Sequence, residues 1–188
     1  VLHHLELLQV FQRHENDHGV DDTHVAAEEI GNDEFRLNRH GLPRLVVDAN
    51  ILISALIRSD GTIGDLLIRT YPPLELFAPE YIRIETSLRR EKVAKLNRSP
   101  IAEVAEAEEV LLSLVTTVQP AAINTVEWEH AHQLVASIDP KDDHYVALAL
   151  HLKCPLWTGD KKLIKGLRAK GFKQVHSTEE VRALLKKK

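Results

Sequence analysis

The chain has 188 residues, which suits one globular domain with some additional sequence. No stretch approaches the roughly 18 uninterrupted apolar residues of a membrane-spanning helix. The opening VLHHLELLQVF has neither the basic start nor the cleavage site of a signal peptide. The single cysteine, Cys154, excludes a disulfide framework and a zinc site built on cysteines. These features favour a cytoplasmic protein with a buried, unreactive thiol.

The net charge of −4 is unevenly distributed along the chain. Residues 1–42 hold 3 basic and 9 acidic residues, whereas residues 153–188 hold 11 basic and 3 acidic residues. We interpret 1–42 as an acidic, His-rich, weakly patterned extension and 43–188 as the folded domain. His14 and His18 have the spacing of a helical metal pair, but no third ligand is indicated, so poorly ordered sequence is favoured there. One hypothesis is that this extension lies upstream of the true start of the protein.

From Arg44 onward, short apolar runs alternate with helical patterns. Apolar or β-branched runs predict strands at 45–47, 74–78, 115–118, 155–157 and 173–176. Apolar residues at helical spacing predict helices over 49–58, 62–71, 79–96, 101–114, 124–137, 142–152, 160–170 and 178–187. Such alternation predicts an α/β fold of three layers, α/β/α, in which helices flank a central parallel sheet of about five strands.

Acidic residues follow these strands at the edge where parallel sheets bind ligands. Asp48 comes directly after three apolar residues, so its carboxylate must be desolvated or satisfied by a partner. Asp142, Asp143 and Asp160 taken singly are explained as helix caps, and Glu85 as a solvated helix residue. Taken together, such acids repel one another unless a cation lies between them. Oxygen ligands without His or Cys favour Mg²⁺ or Mn²⁺.

Four blocks in order resemble the signature blocks of the PIN-domain family, metal-dependent nucleases that include the VapC-type toxins: VVDANILISALI, APEYIRIETSLRREKV, DPKDDHYVALAL and LWTGDKKL. The resemblance spans roughly 43–187. It implies catalytic and metal-binding roles for four acids, Asp48, Glu85, Asp142 and Asp160. It implies supporting roles for Asn50 and Thr158. The third block contains adjacent aspartates, so the choice between Asp142 and Asp143 stays open, and Asp139 is a further candidate metal ligand.

The resemblance also implies an activity, a cofactor and partners. The activity is hydrolysis of RNA phosphodiester bonds with Mg²⁺ or Mn²⁺, leaving a 5′-phosphate and a 3′-hydroxyl. The implied partners are RNA, an antitoxin protein and a second copy of the chain. Basic residues expected to contact RNA phosphates are Arg89, Arg90, Lys161 and Lys162. Because only 5% of residues are aromatic, base-stacking platforms are expected to be scarce, so recognition should rely on RNA shape and backbone.

Other nucleotide- and phosphate-handling folds fit less well. A phosphatase of the haloacid-dehalogenase type also places an aspartate after its first strand, but it needs a second aspartate where Asn50 stands. A receiver-type phosphoacceptor needs an aspartate after the third strand, and 115–119 supplies none. The GxxG at 61–64 does not follow a strand, so it does not indicate dinucleotide binding. The main alternative is a non-catalytic PIN-like module that binds RNA or protein.

Overall fold

The computed structural model describes residues 42–58, 60–69 and 74–186. The interpretation of 1–41, including the pair His14 and His18, therefore lies outside the described residues, as do the ends of the helices predicted over 62–71 and 178–187. The domain boundary at 42/43 stays a prediction. Cys154 is fully buried, as expected.

Five strands and a set of helices form the described part of the chain. The strands are β1 (Arg44–Val47), β2 (Glu75–Pro79), β3 (Val115–Val118), β4 (Leu156–Trp157) and β5 (Val175–His176). The helices are α1 (Ala49–Ile57), α2 (Thr62–Gly64), α3 (Ile82–Ser87), α4 (Arg90–Asn97), α5 (Ile101–Ser113), α6 (Thr125–Val135), α7 (Asp143–Leu152), α8 (Lys161–Ala169) and α9 (Thr178–Lys186). Short turns of other helix types are the π-helical Asp65–Arg69 and the 3₁₀ turns Pro120–Ala122 and Pro140–Asp142.

The sheet is entirely parallel, with the strand order β3-β2-β1-β4-β5. From β1 the chain moves outward through β2 to β3, then crosses back to β4 and continues to β5. Because parallel crossovers are right-handed, this reversal places α1 to α5 on one face and α6 to α8 on the other. In agreement, α1 packs against α3, α4 and α5, whereas α7 packs between the sheet and α6. The predicted three-layer α/β/α fold is confirmed.

The core fixes the ends of the strands that carry the acids. Leu45, Val46 and Val47 of β1 are fully buried, because β1 is the central strand and is covered on both faces. On the next strand, Trp157 of β4 is also fully buried. In α7, the run 145–149 is buried at every position, since this helix lies between the sheet and α6. Strands β1 and β4 therefore end at well-defined positions at the centre of the sheet.

The helix predicted over 79–96 is wrong in two respects. Pro79 is the last residue of β2, not the start of a helix, and the helical segment is broken into α3 and α4 between Ser87 and Arg90. The two short helices share a contact with α5. Glu108 of α5 is buried, and it accepts a hydrogen bond from Thr86 in α3 (2.6 Å) and one from Arg90 in α4 (2.5 Å). Glu108 thus joins both α3 and α4 to α5.

Other differences from the predicted elements are small. Strands β4 and β5 have two residues each, so they are shorter than predicted. The helix predicted from Asp142 begins as a 3₁₀ turn, and α7 starts one residue later at Asp143. Within the described ranges, no helix has the length and apolar character needed to cross a bilayer.

Candidate active site

The candidate site lies where the strand order reverses, between the carboxyl ends of β1 and β4. Ligands of parallel sheets bind at this kind of position. Residues Val46 and Val47 pair with Leu156 and Trp157, and the backbone N–H of Asp48 donates to the Trp157 carbonyl at 3.0 Å. The segment after β1 and the segment after β4 therefore leave the sheet side by side, which brings Asp48 next to 158–160.

Asp48 is held by two polar side chains from the two sides of this crevice. It is only 6% exposed. One oxygen, Oδ1, accepts the backbone N–H of Asn50 at 3.1 Å. The other, Oδ2, accepts the Asn50 side-chain amide and the Thr158 hydroxyl, both at 2.6 Å. The Asn50 Oδ1 in turn accepts the backbone N–H of Gly159 at 3.0 Å. Asn50 and Thr158 thus orient the buried carboxylate, which fits the supporting roles expected for them.

Asp160 acts as a helix cap. Its Oδ1 accepts the backbone N–H groups of Lys162 (2.7 Å) and Leu163 (3.0 Å) at the start of α8, so the capping explanation is correct for this residue. Its own backbone N–H donates to the Thr158 hydroxyl at 3.0 Å. The cap therefore fixes Asp160 beside the residue that holds Asp48.

Asp142 and Asp143 point to different surroundings. Asp142 stands at the N-cap position of α7 but makes no side-chain capping bond, so capping does not explain it. The Asp143 carboxylate lies between two imidazoles, 3.8 Å from His132 Nδ1 and 3.7 Å from His144 Nε2. This arrangement favours Asp142 over Asp143 as the residue that belongs with Asp48.

The acids form one electrostatic cluster, whose members are Asp48, Glu85, Asp139, Asp142 and Asp160. Burial raises the pKa of Asp48 to about 6, repulsion from Glu85 and Asp160 adds to the effect, and the hydrogen bonds from Thr158 and Asn50 oppose it. The pKa of Asp142 is raised to about 7, first by burial and then by repulsion from the other four acids. We call these five residues the acidic cluster.

Tyr145 is a site residue that the sequence reasoning missed. Its hydroxyl donates to Glu85 Oε2, and the ring is almost fully buried. Burial and the neighbouring Glu85 raise the pKa of Tyr145, so its hydroxyl stays protonated and remains a donor. Residues three apart share a face of a helix, so the position of Tyr145 relative to Asp142 could have indicated it. Tyr145 joins the Glu85 carboxylate on α3 to the acids on the other side of the sheet.

The four basic residues expected to contact RNA divide into two pairs. Arg90 pairs with the buried Glu108, and Lys162 Nζ donates to the Ile138 carbonyl at 2.9 Å. Both groups therefore have contacts within the fold. The Arg89 side chain is exposed just after α3, the helix that bears Glu85. The Lys161 side chain is exposed next to Asp160. Their contacts with RNA stay a prediction.

The side chains at this site suit a hard divalent cation in their chemistry. Carboxylates supply oxygen ligands, and their mutual repulsion would be relieved by a positive charge. In the described part of the chain, however, no three His, Cys, Asp or Glu side chains converge closely enough to hold a metal ion. Oδ2 of Asp48 accepts hydrogen bonds from the side chains of Asn50 and Thr158, and Oε2 of Glu85 accepts one from Tyr145. A cation bound here would compete with these donors for the carboxylate oxygens.

Comparisons with known proteins identify the domain. A family model described as PIN domain matches residues 46–186. Among solved structures, the chain is similar to the PAE2754 protein from Pyrobaculum aerophilum, with a TM-score of 0.54 and 16% sequence identity over 77% of this chain and 90% of that chain. At this identity the likeness concerns the fold alone. No curated protein matches the chain. The resemblance drawn from the four sequence blocks is confirmed at the level of the PIN domain.

We expect the metal-free protein to be less stable at pH 8 than at pH 5. Asp48 and Asp142 have raised pKa values of about 6 and about 7, so between about pH 4 and pH 7 the folded state binds more protons than the unfolded state. Stability then falls as the pH rises through this window. For Asp48 the raised pKa corresponds to about 3 kcal/mol. Melting temperatures measured in EDTA across this range test the prediction.

The variant Asp48→Asn should show a flatter dependence of the melting temperature on pH. Asp60→Asn, which changes an exposed carboxylate on the loop after α1, serves as the matched control and should follow the wild type. Adding Mg²⁺ or Mn²⁺ at pH 8 should raise the melting temperature of the wild type, because a ligand that binds only the folded state stabilises it. Equal slopes for wild type and Asp48→Asn would contradict this view of the acidic cluster.

The neighbours Arg89 and Arg90 should differ in their effect on stability. Arg90→Ala leaves the buried Glu108 without its charged partner and should lower the free energy of unfolding by about 2–3 kcal/mol. Arg89→Ala removes an exposed side chain and should change it by less than about 0.5 kcal/mol. Urea unfolding of both variants measures the difference. Equal losses would mean that the ion pair of Arg90 has no structural role.

Proposed function

Because the chain belongs to the PIN domain family, whose members are generally nucleases that use divalent metal ions, we propose that it is a metal-dependent endoribonuclease. The proposed reaction is hydrolysis of RNA phosphodiester bonds. The observation that carries the proposal is the acidic cluster, which gathers acids from four separate segments at the point where the strand order reverses. A cluster of this kind costs stability, so its presence is better explained by chemistry than by folding.

The proposed metal ligands are Asp48, Glu85, Asp142 and Asp160, with Asp139 and Asp143 as less central candidates. When bound, Mg²⁺ or Mn²⁺ would supply a water of lowered pKa and neutralise charge on the phosphate. The chain's own groups keep the carboxylates in place. Asn50 and Thr158 hold Asp48, and the buried hydroxyl of Tyr145 holds Glu85.

Basic side chains on either side of the crevice would bind the RNA backbone. Arg89 and Lys161 are the better candidates, because they are exposed and, among the described residues, make no contact comparable to the ion pair of Arg90. Contacts of this type position a nucleic acid without reading its sequence. Arg90 and Lys162 remain candidates of second rank.

A finer proposal is that the protein is the toxin of a toxin–antitoxin pair, with an antitoxin protein and a second copy of the chain as partners. It rests on the resemblance of the four sequence blocks to VapC-type toxins. The blocks that carry it are those that hold Asp48, Glu85, Asp142 and Asp160.

Cleavage of RNA should depend on metal and on the acidic cluster. The purified protein is incubated with end-labelled single-stranded and hairpin RNAs in EDTA, Mg²⁺ or Mn²⁺. We expect cleavage with a divalent metal only, and products that carry a 5′-phosphate. Asp48→Asn and Asp142→Asn should each lose at least about 100-fold in rate, because they remove charge from the ligand set.

Asp143→Asn is the matched control for Asp142→Asn, since the two residues are adjacent but Asp143 faces His132 and His144. Its loss should be much smaller than that of Asp142→Asn. A larger loss of rate in Asp143→Asn than in Asp142→Asn would mean that Asp143, and not Asp142, is the metal ligand. If no RNA is cut and no metal raises the melting temperature of the wild type, the nuclease proposal is wrong and the non-catalytic module is favoured.

Toxicity would follow from cleavage of an RNA that the host needs. Induced expression of the wild type in a bacterial host should arrest growth, whereas Asp48→Asn expressed to the same level should not. Growth arrest by both proteins would mean that the toxicity does not depend on catalysis. Normal growth with a wild-type protein that is active in the test tube would argue against the toxin role.

A further inference from the structure

A shallow, open cleft of about 420 Å³ lies on the surface of α6 near the start of α7. Its lining residues are Trp128, Glu129, His132, Gln133 and Asp143. Asp143, which lines the cleft, directly follows Asp142 of the acidic cluster, so the start of α7 contributes one carboxylate to each feature.

Three rings connect this cleft to the helix that carries Glu85. The ring of Tyr81 stacks on His144, with centroids 5.2 Å apart and planes inclined by 21°. The ring of Trp128 meets His144 edge to face at 5.1 Å. Tyr81 lies one helical turn before Glu85, whose backbone N–H donates to the Tyr81 carbonyl at 3.2 Å. We call Tyr81, His144 and Trp128 the aromatic cluster.

Tyr81 and His144 are more accessible than the aromatic residues of the core, whereas Trp128 is half-buried and packs against the core. Tyr81 is 36% exposed and the His144 side chain is 33% exposed. By comparison, Trp157 is fully buried and Tyr145 is 2% exposed. Exposed rings next to a site that handles nucleic acid are stacking platforms for bases, because every base has a π-face. The low aromatic content predicted that such platforms are scarce, but the fold places the exposed Tyr81, a histidine and the half-buried Trp128 together.

We infer that the aromatic cluster and the cleft form a nucleobase-binding subsite, which takes one unstacked base of single-stranded RNA beside the scissile phosphate. The inference rests on the proposed ribonuclease function and adds to it a position for base recognition. The base stacks on the rings, and its edge faces the polar side chains of the cleft. Sequence-specific recognition of single-stranded RNA commonly combines stacking with hydrogen bonds to base edges.

The polar side chains of the cleft favour a particular base. The carboxylate oxygens of Glu129 and Asp143 accept hydrogen bonds, whereas the Gln133 amide can donate and accept them. Guanine presents two adjacent donors, N1–H and the N2 amino group, to a carboxylate. Uracil presents a single donor between two acceptors. The subsite should therefore bind guanine more tightly than uracil.

Tryptophan fluorescence gives a readout that does not depend on cleavage. The chain contains two tryptophans, and Trp157 is fully buried, so quenching by a bound base reports on Trp128. The probes are the RNA heptamers UUUGUUU and UUUUUUU, together with a heptamer that has an abasic ribose at the centre. Titrations use Asp48→Asn with Mg²⁺ and, in case this variant is poorly folded, the wild type in EDTA.

We expect UUUGUUU to quench the fluorescence and to bind about 5- to 150-fold more tightly than the abasic heptamer. The affinity for UUUUUUU should lie between the affinities for these two heptamers. His144→Ala and Trp128→Ala, followed by fluorescence anisotropy of labelled RNA, should bring the three heptamers to similar affinities, while Trp128→Phe should keep most of the difference. Val126→Ala is the control, because Val126 is 74% exposed on the same helix and does not line the cleft.

Equal affinities of the wild type for UUUGUUU and the abasic heptamer would overturn the subsite, as would an unchanged preference in both alanine variants. The aromatic cluster would then serve only to pack α3, α6 and α7 together. Base-dependent quenching, with no RNA cleavage by the wild type and no effect of metal on its melting temperature, would leave the subsite standing and refute the nuclease proposal. Cleavage without base-dependent binding would support the nuclease proposal and refute the subsite.

Discussion

The buried carboxylate of Asp48 and its hydrogen bonds are the constraint on which the rest of the site depends. Asn50 and Thr158 donate three hydrogen bonds to it from residues on the two sides of the point where the strand order reverses. A buried charge without such donors would cost several kcal/mol. The bonds therefore allow an ionisable group to sit at the centre of the sheet, and they also tie the end of β1 to the end of β4.

The hydrogen bonds offset only part of the electrostatic cost of the acidic cluster. The raised pKa values of Asp48 and Asp142 show that burial and mutual repulsion outweigh the donors. Asp160 shows how the fold limits this cost, because its carboxylate also caps α8. Asp142 has no such second role at the start of α7. Its position is therefore hard to explain by stability, and a ligand of positive charge is the natural partner of the cluster.

The fold and most of the acids of the site could be predicted, because the sequence patterns that indicate them are local. A short apolar run that ends in Asp48 needs only a few consecutive residues to be recognised, and the same holds for Asp160 after β4. The break between α3 and α4 could not be predicted, because the segment 82–97 contains no glycine or proline to mark it. The aromatic cluster was missed because its three rings come from separate segments and meet only in the folded chain.

In the proposed ribonuclease, the first turn of α7 would couple the metal-binding acids to the placement of the substrate. Successive residues of an α-helix point about 100° apart, so four consecutive side chains reach four different surroundings. Asp142 faces the acidic cluster, Asp143 lies between two imidazoles, His144 lies between Tyr81 and Trp128, and Tyr145 donates to Glu85. A shift of this turn would move the acid, the rings and the donor together. A base bound at the aromatic cluster would therefore be placed in a fixed relation to the carboxylates, which is the geometric condition for cutting beside a chosen base.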